Sequence, residues 1–492
     1  DRMEKGMKNL AKRIIALVLF SVLVVSICGC QNIGKGNDDV TIVWYMQKPT
    51  SDMSHQSMVE KAANEKIYKE LGIKLKFEFV DSGSWTEKKN TLISSGEEFD
   101  IISDLGISFI NNASKNAYID LTEYLEKYAP DIMAKVDDFA WDAVKINGKI
   151  AAIPNQTFFV PYNSFAIKAD LIEKYNIDYQ NIRTIKDLEP VLETIKANEP
   201  TLYPICALAN TAIPMELSDN YLLTTVAGVM YDKQNDKFIP EIESEYFLNR
   251  AKITYDFYQK GYIPSDAISK TETISEIKSG KYAIFAGRRS AEKTTNLYGF
   301  ECVETPATYG TINSSNLINS VNAVSRTSKH PEKAVQLLNL IWKDKELLNL
   351  LAYGIENVDY EVVSGKGTDE ISVLPKSGNE VKWSIWHNWL GPLWDQWDST
   401  WNTTESLNEM KILNSQADVS PIVGFYPELS ACKTECATIT AIQKESSPVF
   451  YTGSMPDFDK YVDSVAKKYK DAGIDKVITV METQYAEWKK NK

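Results

Sequence analysis

Residues 40–102 read VTIVWYMQKPTSDMSHQSMVEKAANEKIYKELGIKLKFEFVDSGSWTEKKNTLISSGEEFDII and contain three strand patterns separated by two helix patterns. The strand patterns lie at 40–45, 73–79 and 99–102, and the helix patterns lie at 57–71 and 85–95. The first strand is rich in β-branched and aromatic side chains, and the second alternates between apolar and polar side chains. Strands that alternate with helices are typical of a parallel, doubly wound α/β sheet, which we predict here.

The predicted strand ends supply candidate ligand-binding residues. In doubly wound sheets, ligands bind beyond the carboxyl ends of the strands. Trp44 and Tyr45 end the first predicted strand, and Asp104 follows the third. Trp85 opens the second helix after a polar turn. We predict that these four side chains contact a ligand. The alternative for Trp44 and Tyr45 is the core, and for Asp104 it is a helix N-cap.

Composition narrows the class of protein. The chain has 492 residues, enough for about three domain-sized units. A net charge of −13 argues against a nucleic-acid partner, because phosphate binding depends on Lys and Arg. Only three histidines occur, far apart in sequence, so we predict no His-rich zinc site. We also expect no cofactor. Aromatic residues are abundant, with 11 Trp, 25 Tyr and 17 Phe, which suggests that flat rings serve a binding function.

The amino terminus resembles an export signal. A basic segment precedes an uncharged apolar run over residues 14–30, as in secretory signal peptides. Residues 27–30 (Ile-Cys-Gly-Cys) resemble a bacterial lipobox. That resemblance implies cleavage before Cys30, a diacylglyceryl group on its thiol, and a protein anchored on the outer face of a cell membrane of the Gram-positive type. We therefore assign 1–30 to a signal peptide and 31–39 to a linker; an unprocessed signal-anchor helix is the alternative.

The cysteines outside this leader are scattered and do not form a recognisable framework. They are Cys206, Cys302, Cys432 and Cys436. Burial as small apolar side chains, one disulfide and a metal site are all compatible with this spacing. The metal site is least favoured, because no histidine lies near them.

Residues 141–175, WDAVKINGKIAAIPNQTFFVPYNSFAIKADLIEKY, contain a motif that is more specific than the periodicity. Asn147-Gly148 is typical of a two-residue β-hairpin turn. The hairpin and the strand after it resemble the first crossover of extracellular solute-binding proteins of ABC importers, in the carbohydrate group related to maltose-binding protein. Further stretches resemble this family in the same order, at residues 279–287, 320–328, 352–360, 423–427 and 471–477. The last three resemble a lipoprotein subset with a distinct C-terminal domain.

The resemblance implies an α/β clamshell of two lobes, each a doubly wound sheet, joined by hinge crossovers. By this resemblance, the first lobe comprises 40–155 and about 325–380. The second comprises 156–324 and 381–492, including a C-terminal domain from about 415. The implied partners are a carbohydrate ligand, expected to be an oligosaccharide, and the transmembrane permease subunits of an ABC importer. We expect a membrane-anchored monomer without catalytic residues.

The segment WSIWHNWLGPLWDQWDSTW at residues 383–401 holds six of the 11 tryptophans. An aromatic ring can bury the C–H face of a pyranose, while planar polar side chains bind its hydroxyls. Asn388 matches an Asn in the corresponding family element, whereas His387 and Trp389 depart from it. We predict ligand contacts in this segment from Trp383, Trp386, Asn388, Trp389 and Trp394. Packing of the rings between the lobes is the alternative.

Four other residues are candidates. Gln156 and Phe158 lie just past the first crossover, where members of the family often contact ligand. Arg288 follows a predicted strand end and could form bidentate hydrogen bonds or stack on a ring, but a solvated side chain is equally compatible. Tyr353 lies in one of the family-like stretches.

Two other functions remain possible. A peptide-binding or sensor lipoprotein would keep the fold and change the ligand. A secreted glycoside hydrolase would also be aromatic and acidic, but it needs two carboxylates held about 5–10 Å apart, and no recognisable catalytic motif surrounds any carboxylate. The chain contains neither a G-x-S-x-G motif nor a Walker-type loop, which argues against a serine hydrolase and an ATPase.

Overall fold

The computed structural model describes residues 40–49, 52–215, 217–288, 291–400 and 402–491. The predicted signal peptide, its lipidation residue Cys30 and the linker lie outside these residues. Within the described ranges, no helix combines the length and the apolar character needed to cross a bilayer.

The strands are short and are distributed over the whole described chain. They are β1 Val40–Gln47, β2 Ile73–Val80, β3 Ile101–Asp104, β4 Lys145–Ile146, β5 Lys149–Ile150, β6 Ile153–Pro154, β7 Tyr162–Asn163, β8 Phe165–Lys168, β9 Tyr203–Ile205, β10 Tyr221–Leu223, β11 Val229–Asp232, β12 Lys237–Pro240, β13 Tyr282–Ala286, β14 Cys302–Glu304, β15 Thr308–Tyr309, β16 Val321–Val324, β17 Tyr360–Ser364, β18 Ser372–Pro375 and β19 Asp398–Ser399.

Helices alternate with these strands and dominate the C-terminal part. They are α1 Gln56–Leu71, α2 Ser82–Ser95, α3 Gly106–Ser114, α4 Thr122–Tyr128, α5 Pro130–Lys135, α6 Asp138–Val144, α7 Ala169–Tyr175, α8 Ile185–Asn198, α9 Glu245–Gln259, α10 Thr273–Lys278, α11 Ala291–Tyr298, α12 Ser314–Leu317, α13 Pro331–Lys343, α14 Lys345–Tyr353, α15 His387–Leu390, α16 Thr404–Gln416, α17 Lys433–Thr452, α18 Phe458–Asp471 and α19 Ile474–Asn491.

The first lobe is built on a sheet with the strand order β2-β1-β3-β16-β6. β1 and β3 run parallel, with Trp44 opposite Ile101, as the alternation of strands and helices predicts. β16 pairs antiparallel with β3 and β6, so the chain returns to this sheet after it has formed the second lobe. β1 continues to Gln47, past the predicted end at Tyr45, and this places Trp44 inside the sheet.

The hairpin between β4 and β5 agrees with the sequence prediction. Asn147 and Gly148 both have positive φ, 52° and 77°, which is the conformation of a type I′ turn. β4 and β5 pair antiparallel across this turn. The chain then enters β6 and the first crossover.

The second lobe is built on a sheet with the order β14-β8-β13-β9. Helix α8 covers it, because Leu188, Leu192 and Ile195 lie on one face of the helix at helical spacing and are fully buried. A capping box between Thr184 and Asp187 fixes the start of α8.

Two predicted lobe boundaries differ from the observed contacts. β16, which the sequence placed in the second lobe up to residue 324, belongs to the first sheet. The segment that begins at 381 starts on the first lobe, because Trp383 packs on Phe77 and Phe79 of β2 at centroid distances of 6.2 and 5.8 Å. Ring packing between residues far apart in sequence places the segment from 381 on the first lobe, and no local sequence pattern predicts such packing.

The C-terminal helices share one apolar core with a part of the second lobe. Phe425 and Tyr485 pack with Tyr231 and Phe238 from the β11–β12 hairpin. Helix α9 joins this core to that of the second-lobe sheet, because its Ala251 lies in the former and its Phe257 in the latter. The C-terminal domain is therefore fixed to the second lobe.

A buried ion pair lies at the carboxyl end of β3. The carboxylate of Asp104, 1% exposed, pairs with Lys89, 2% exposed. Tyr118 donates a hydrogen bond to Asp104 Oδ2 at 2.6 Å, and Asn112 donates to the same atom at 3.0 Å. Burial, followed by the charge of Asp104, raises the pKa of Tyr118 well above its ordinary value. The carboxylate is thus satisfied within the first lobe.

We expect Asp104→Asn to lower the free energy of unfolding by about 3–5 kcal/mol, because it leaves the buried Lys89 ammonium without a counter-charge. Urea unfolding followed by circular dichroism measures this change. Asp81→Asn is the matched control, since the Asp81 side chain is 80% exposed and should shift stability by less than about 0.5 kcal/mol. Equal effects of the two substitutions would contradict a structural role of the buried pair.

Candidate ligand-binding site

An exposed tryptophan pair is the most prominent feature of the Trp-rich segment. Trp386 is 50% exposed, and its ring meets that of half-buried Trp389 at a centroid distance of 5.1 Å and an angle of 68°. The pair lies at helix α15, a single turn that is followed by the C-cap residue Gly391. Trp386 therefore offers a large apolar ring to solvent, beside the partly exposed Asn388.

His387 anchors the opposite side of this turn. It is 3% exposed, its Nε2 lies 3.0 Å from Asn349 Oδ1, and its ring packs edge-on against Tyr353. The Asn349 amide group donates to two backbone carbonyls, so its oxygen is the acceptor and His387 carries its proton on Nε2. Burial lowers the pKa of His387 to about 3. The imidazole is therefore neutral and structural.

Buried amides connect the same segment to both crossovers. Asn155 in the first crossover donates to Ser320 Oγ at 3.0 Å and to the Trp389 carbonyl at 3.3 Å. Asn322 on β16 donates to Asn155 Oδ1 and to the Trp389 carbonyl, both at 3.0 Å. Ser320 donates to the Asn388 carbonyl at 2.7 Å. We call Asn155, Ser320 and Asn322 the hinge network.

The hinge network continues into the first sheet. Ser103 donates to Asn322 Oδ1 at 2.8 Å, and Trp44 Nε1 donates to Ser103 Oγ at 3.0 Å. Asn155, Ser320 and Asn322 are at most 5% exposed, and leaving a buried polar group unpaired costs about 1–3 kcal/mol. The hinge network therefore fixes the position of the backbone that carries Trp389.

A second aromatic group lies where the chain leaves the first crossover. Phe158 meets Tyr162 at 5.8 Å and Tyr309 at 6.4 Å, and Tyr162 faces Tyr309 across the β7–β15 pair. Phe158 and Trp394 pack on one apolar cluster. Gln156 ties this group to the Trp-rich segment, because its Oε1 accepts from Trp394 N at 3.3 Å.

Sequence reasoning did not identify Tyr162 and Tyr309. Tyr309 is 38% exposed and Tyr162 is half-buried. Their proximity comes from pairing of two-residue strands that are far apart in sequence, which leaves no periodic signal. The sequence offers one indication that Tyr162 belongs to a functional site, which is its position within the family-like motif at 141–175.

Four predicted contact residues lie in the core instead. Trp44, Trp85, Tyr353 and Trp383 are 0%, 4%, 1% and 2% exposed. Trp383 Nε1 donates to the Leu351 carbonyl at 2.9 Å, and the Tyr353 hydroxyl donates to Ser399 Oγ at 2.9 Å. Rings buried to this extent offer no face to a ligand, so we correct these four predictions and assign the residues to packing.

Two predicted polar contacts are already satisfied within the protein. Asp104 accepts hydrogen bonds from Lys89, Asn112 and Tyr118. These contacts agree with neither predicted role of Asp104, sugar binding or helix capping. Gln156 is 5% exposed and donates to the Lys135 carbonyl at 2.9 Å, in addition to its bond with Trp394. Gln156 therefore positions Trp394 rather than presenting a free amide.

Tyr45 and Arg288 lie at partly open positions on the two lobes. Tyr45 is half-buried, packs edge-on against Phe99, and has Lys88 Nζ 5.7 Å from its ring centroid. The side chain of Arg288 is exposed, and its backbone N–H donates to Glu304 Oε1 at 2.8 Å. Both remain candidates for contact with a ligand.

The four cysteines within the described residues are free thiols. Cys206, Cys302 and Cys432 are buried, and Cys436 is partly exposed. Burial raises the pKa of Cys206 to about 12 and that of Cys302 to about 11, so both stay protonated as small apolar groups. Over the described part of the chain, no three His, Cys, Asp or Glu side chains form a group that could hold a metal ion.

Two sequence profiles match the chain. The profile of bacterial extracellular solute-binding proteins matches residues 54–345, and that of a domain of unknown function, DUF3502, matches residues 421–490. A carbohydrate ABC transporter substrate-binding protein of Streptococcus pneumoniae serotype 4 is 28% identical over 526 residues, which cover 99% of this chain and 100% of that protein.

Solved structures are similar over nearly the whole chain. The N-glycan transport solute-binding protein NgtS from Streptococcus pneumoniae is 26% identical, with a TM-score of 0.80, over 92% of this chain and 100% of NgtS. The TM-score is 0.71 for NgtS with Man1GlcNAc and 0.68 for NgtS with Man5GlcNAc, at 25% and 26% identity and equivalent coverage. An extracellular solute-binding protein from Bifidobacterium longum subsp. infantis shares the fold, at 14% identity and a TM-score of 0.63, over 91% of this chain and 98% of that protein.

The buried His387 makes a specific prediction about pH. Unfolded, its imidazole binds a proton below about pH 6.5, whereas in the folded protein it stays neutral until about pH 3. Folding stability is therefore lost as pH falls through this window, by about 1.4 kcal/mol per pH unit from this group. Between pH 6 and 4, the free energy of unfolding measured in urea should fall less steeply with decreasing pH for His387→Gln than for the parent protein. Parallel curves would contradict burial of a neutral imidazole.

Proposed function

The chain belongs to the bacterial extracellular solute-binding protein family, and we propose on this basis that it is the carbohydrate-binding subunit of an ABC importer. The family profile covers more than half of the chain. The similarity to a carbohydrate ABC transporter substrate-binding protein and to NgtS supports a saccharide as the ligand. The protein captures the sugar outside the cell and delivers it to the transmembrane permease.

The exposed Trp386–Trp389 pair is the observation that carries this proposal. An indole ring buries the C–H face of a pyranose, and isolated exposure of so large a ring is otherwise unfavourable. Asn388 lies between the two tryptophans in sequence and supplies a planar amide for the sugar hydroxyls. The hinge network holds this turn in place before ligand arrives, which reduces the entropy lost on binding.

An oligosaccharide fits the distribution of rings better than a monosaccharide. The Trp386–Trp389 pair and the group of Phe158, Tyr162 and Tyr309 form separate aromatic surfaces, connected through Trp394 and Gln156. A ligand that contacts both surfaces has more than one sugar ring. The complexes of NgtS with Man1GlcNAc and Man5GlcNAc support this ligand class.

Binding proceeds by closure of the lobes about the hinge. The TM-score is 0.80 for the NgtS structure described without a glycan and 0.71 and 0.68 for the two glycan complexes, as expected if lobe arrangement differs with ligand. A ligand can favour the closed arrangement only by its higher affinity for that state. The contacts described above then belong to the ligand-free arrangement.

We predict that Trp386→Ala and Trp389→Ala each weaken saccharide binding about 5- to 150-fold, because each removes ring stacking worth about 1–3 kcal/mol. Isothermal titration calorimetry against Man5GlcNAc and a panel of oligosaccharides measures the affinity. Tyr68→Ala is the control, since Tyr68 is 45% exposed on α1 and outside the site. Retained affinity in both Trp variants would place the sugar elsewhere.

The same panel separates the alternative functions. The proposal requires saccharide binding without chemistry, by a monomer with no cofactor. Release of new reducing ends from a bound oligosaccharide would identify a glycoside hydrolase instead. Tight binding of peptides with no saccharide binding would favour a peptide-binding or sensor protein of the same fold.

Membrane attachment through Cys30 is part of the proposal. Two acyl chains give stable anchoring, whereas one chain is marginal. Cys30→Ser should therefore release the protein from the membrane fraction into the medium, or leave it uncleaved, and abolish incorporation of labelled fatty acid. Replacement of the neighbouring Cys28 by Ser is the matched control and should preserve labelling. Equal labelling of parent and Cys30→Ser would exclude lipidation at this thiol.

A further inference from the structure

The C-terminal domain, which has no assigned function, contacts both lobes. Its core is continuous with the β10–β12 sheet and helix α9, so it moves with the second lobe. Residues 414–426, at the start of this domain, touch the first lobe and both crossovers. We call residues 414–426 the strap.

The side chain of Asn414 binds the strap to the first crossover. Asn414 is 4% exposed; its Oδ1 accepts from Phe159 N at 2.9 Å and its Nδ2 donates to the Thr157 carbonyl at 2.8 Å. The side-chain amide of Asn414 thus pairs with a backbone N–H and a backbone C=O of the crossover, as the backbone of a neighbouring strand would. This interaction holds the residues that follow Gln156 in one conformation.

The strap next pairs with the chain that enters the second crossover. Ile312 N donates to the Asp418 carbonyl at 2.8 Å, and Ser420 N donates to the Ile312 carbonyl at 2.7 Å. Gly424 N then donates to Ser314 Oγ at 3.2 Å. Helix α12 and β16 follow directly, so the strap is bonded to the segment that connects the lobes.

The strap finally contacts helix α6, which packs on β6 of the first lobe. The hydroxyl of half-buried Tyr426 donates to the Ala143 carbonyl at 2.6 Å. Gly424 has a φ of +82°, and a Cβ there would lie 2.4 Å from the Asp142 carbonyl oxygen. Only glycine permits this approach, so α6 and the strap are in direct backbone contact.

We propose that the C-terminal domain is a brace that holds the lobes in their ligand-free arrangement and so sets the cost of closure. This inference rests on the proposed clamshell function. The domain is fixed to the second lobe and bonded to α6 of the first, so rotation of one lobe against the other must displace the Tyr426 and Gly424 contacts. Contacts made only in the open state lower the apparent affinity for ligand.

Tyr426→Phe removes the hydroxyl that donates to the Ala143 carbonyl and keeps the ring, and Gly424→Ala forces α6 away from the strap. Tyr461→Phe, in the same domain and packed on Phe450, is the matched control. Small-angle X-ray scattering of the ligand-free protein should show a smaller radius of gyration for both strap variants than for parent and control. Affinity for Man5GlcNAc, by calorimetry, should rise about 2- to 10-fold for Tyr426→Phe.

An unchanged radius of gyration in Tyr426→Phe, or weaker binding by a variant with parental stability, would overturn the brace. Should Gly424→Ala fail to fold, Tyr426→Phe alone decides the question. The scattering measurement needs no ligand. If the radius decreases but no variant binds any saccharide, the brace stands and the proposed ligand class is wrong.

Discussion

A buried network of side-chain amides at the hinge holds the aromatic segment against both lobes. Asn155 and Asn322 lie on the two crossovers, bond to each other, and both donate to the carbonyl of Trp389. Each member is satisfied only while the others are in place, because an unpaired buried amide costs about 1–3 kcal/mol. The position of the exposed tryptophans, and any change in it during closure, depends on these bonds.

The Trp-rich segment contains both buried and exposed rings. Trp383 is buried on the first-lobe sheet and His387 is buried against Tyr353, whereas Trp386 is half exposed. Buried neighbours hold the exposed rings in a defined geometry, which favours stacking because little conformational entropy is lost on binding. The tryptophans of this segment thus serve a core that anchors the turn and, in the proposed function, a surface for the ligand.

The C-terminal domain changes how the two-lobed fold can be understood. Its core with the β11–β12 hairpin attaches it to the second lobe, and its strap reaches α6 of the first. In a hinge that consists only of crossover segments, the free-energy cost of lobe rotation depends on the backbone of those segments. A third connection that bonds to both crossovers adds contacts that depend on lobe arrangement, and it therefore links an uncharacterised domain to ligand affinity.

The sequence alone determined the parallel strand–helix order over 40–102, the type I′ hairpin at Asn147–Gly148 and membership in the solute-binding family, because periodicity, turn chemistry and family motifs are local. It also located the aromatic segment at 383–401. Tertiary structure decided which rings are accessible. Trp44 and Trp383 are as aromatic as Trp386, but β1 extends past Trp44 and β2 covers Trp383. The partnership of Tyr162 with Tyr309 and the reach of Tyr426 to α6 likewise join residues far apart in sequence, and burial of this kind is a property of the packed chain rather than of any local pattern.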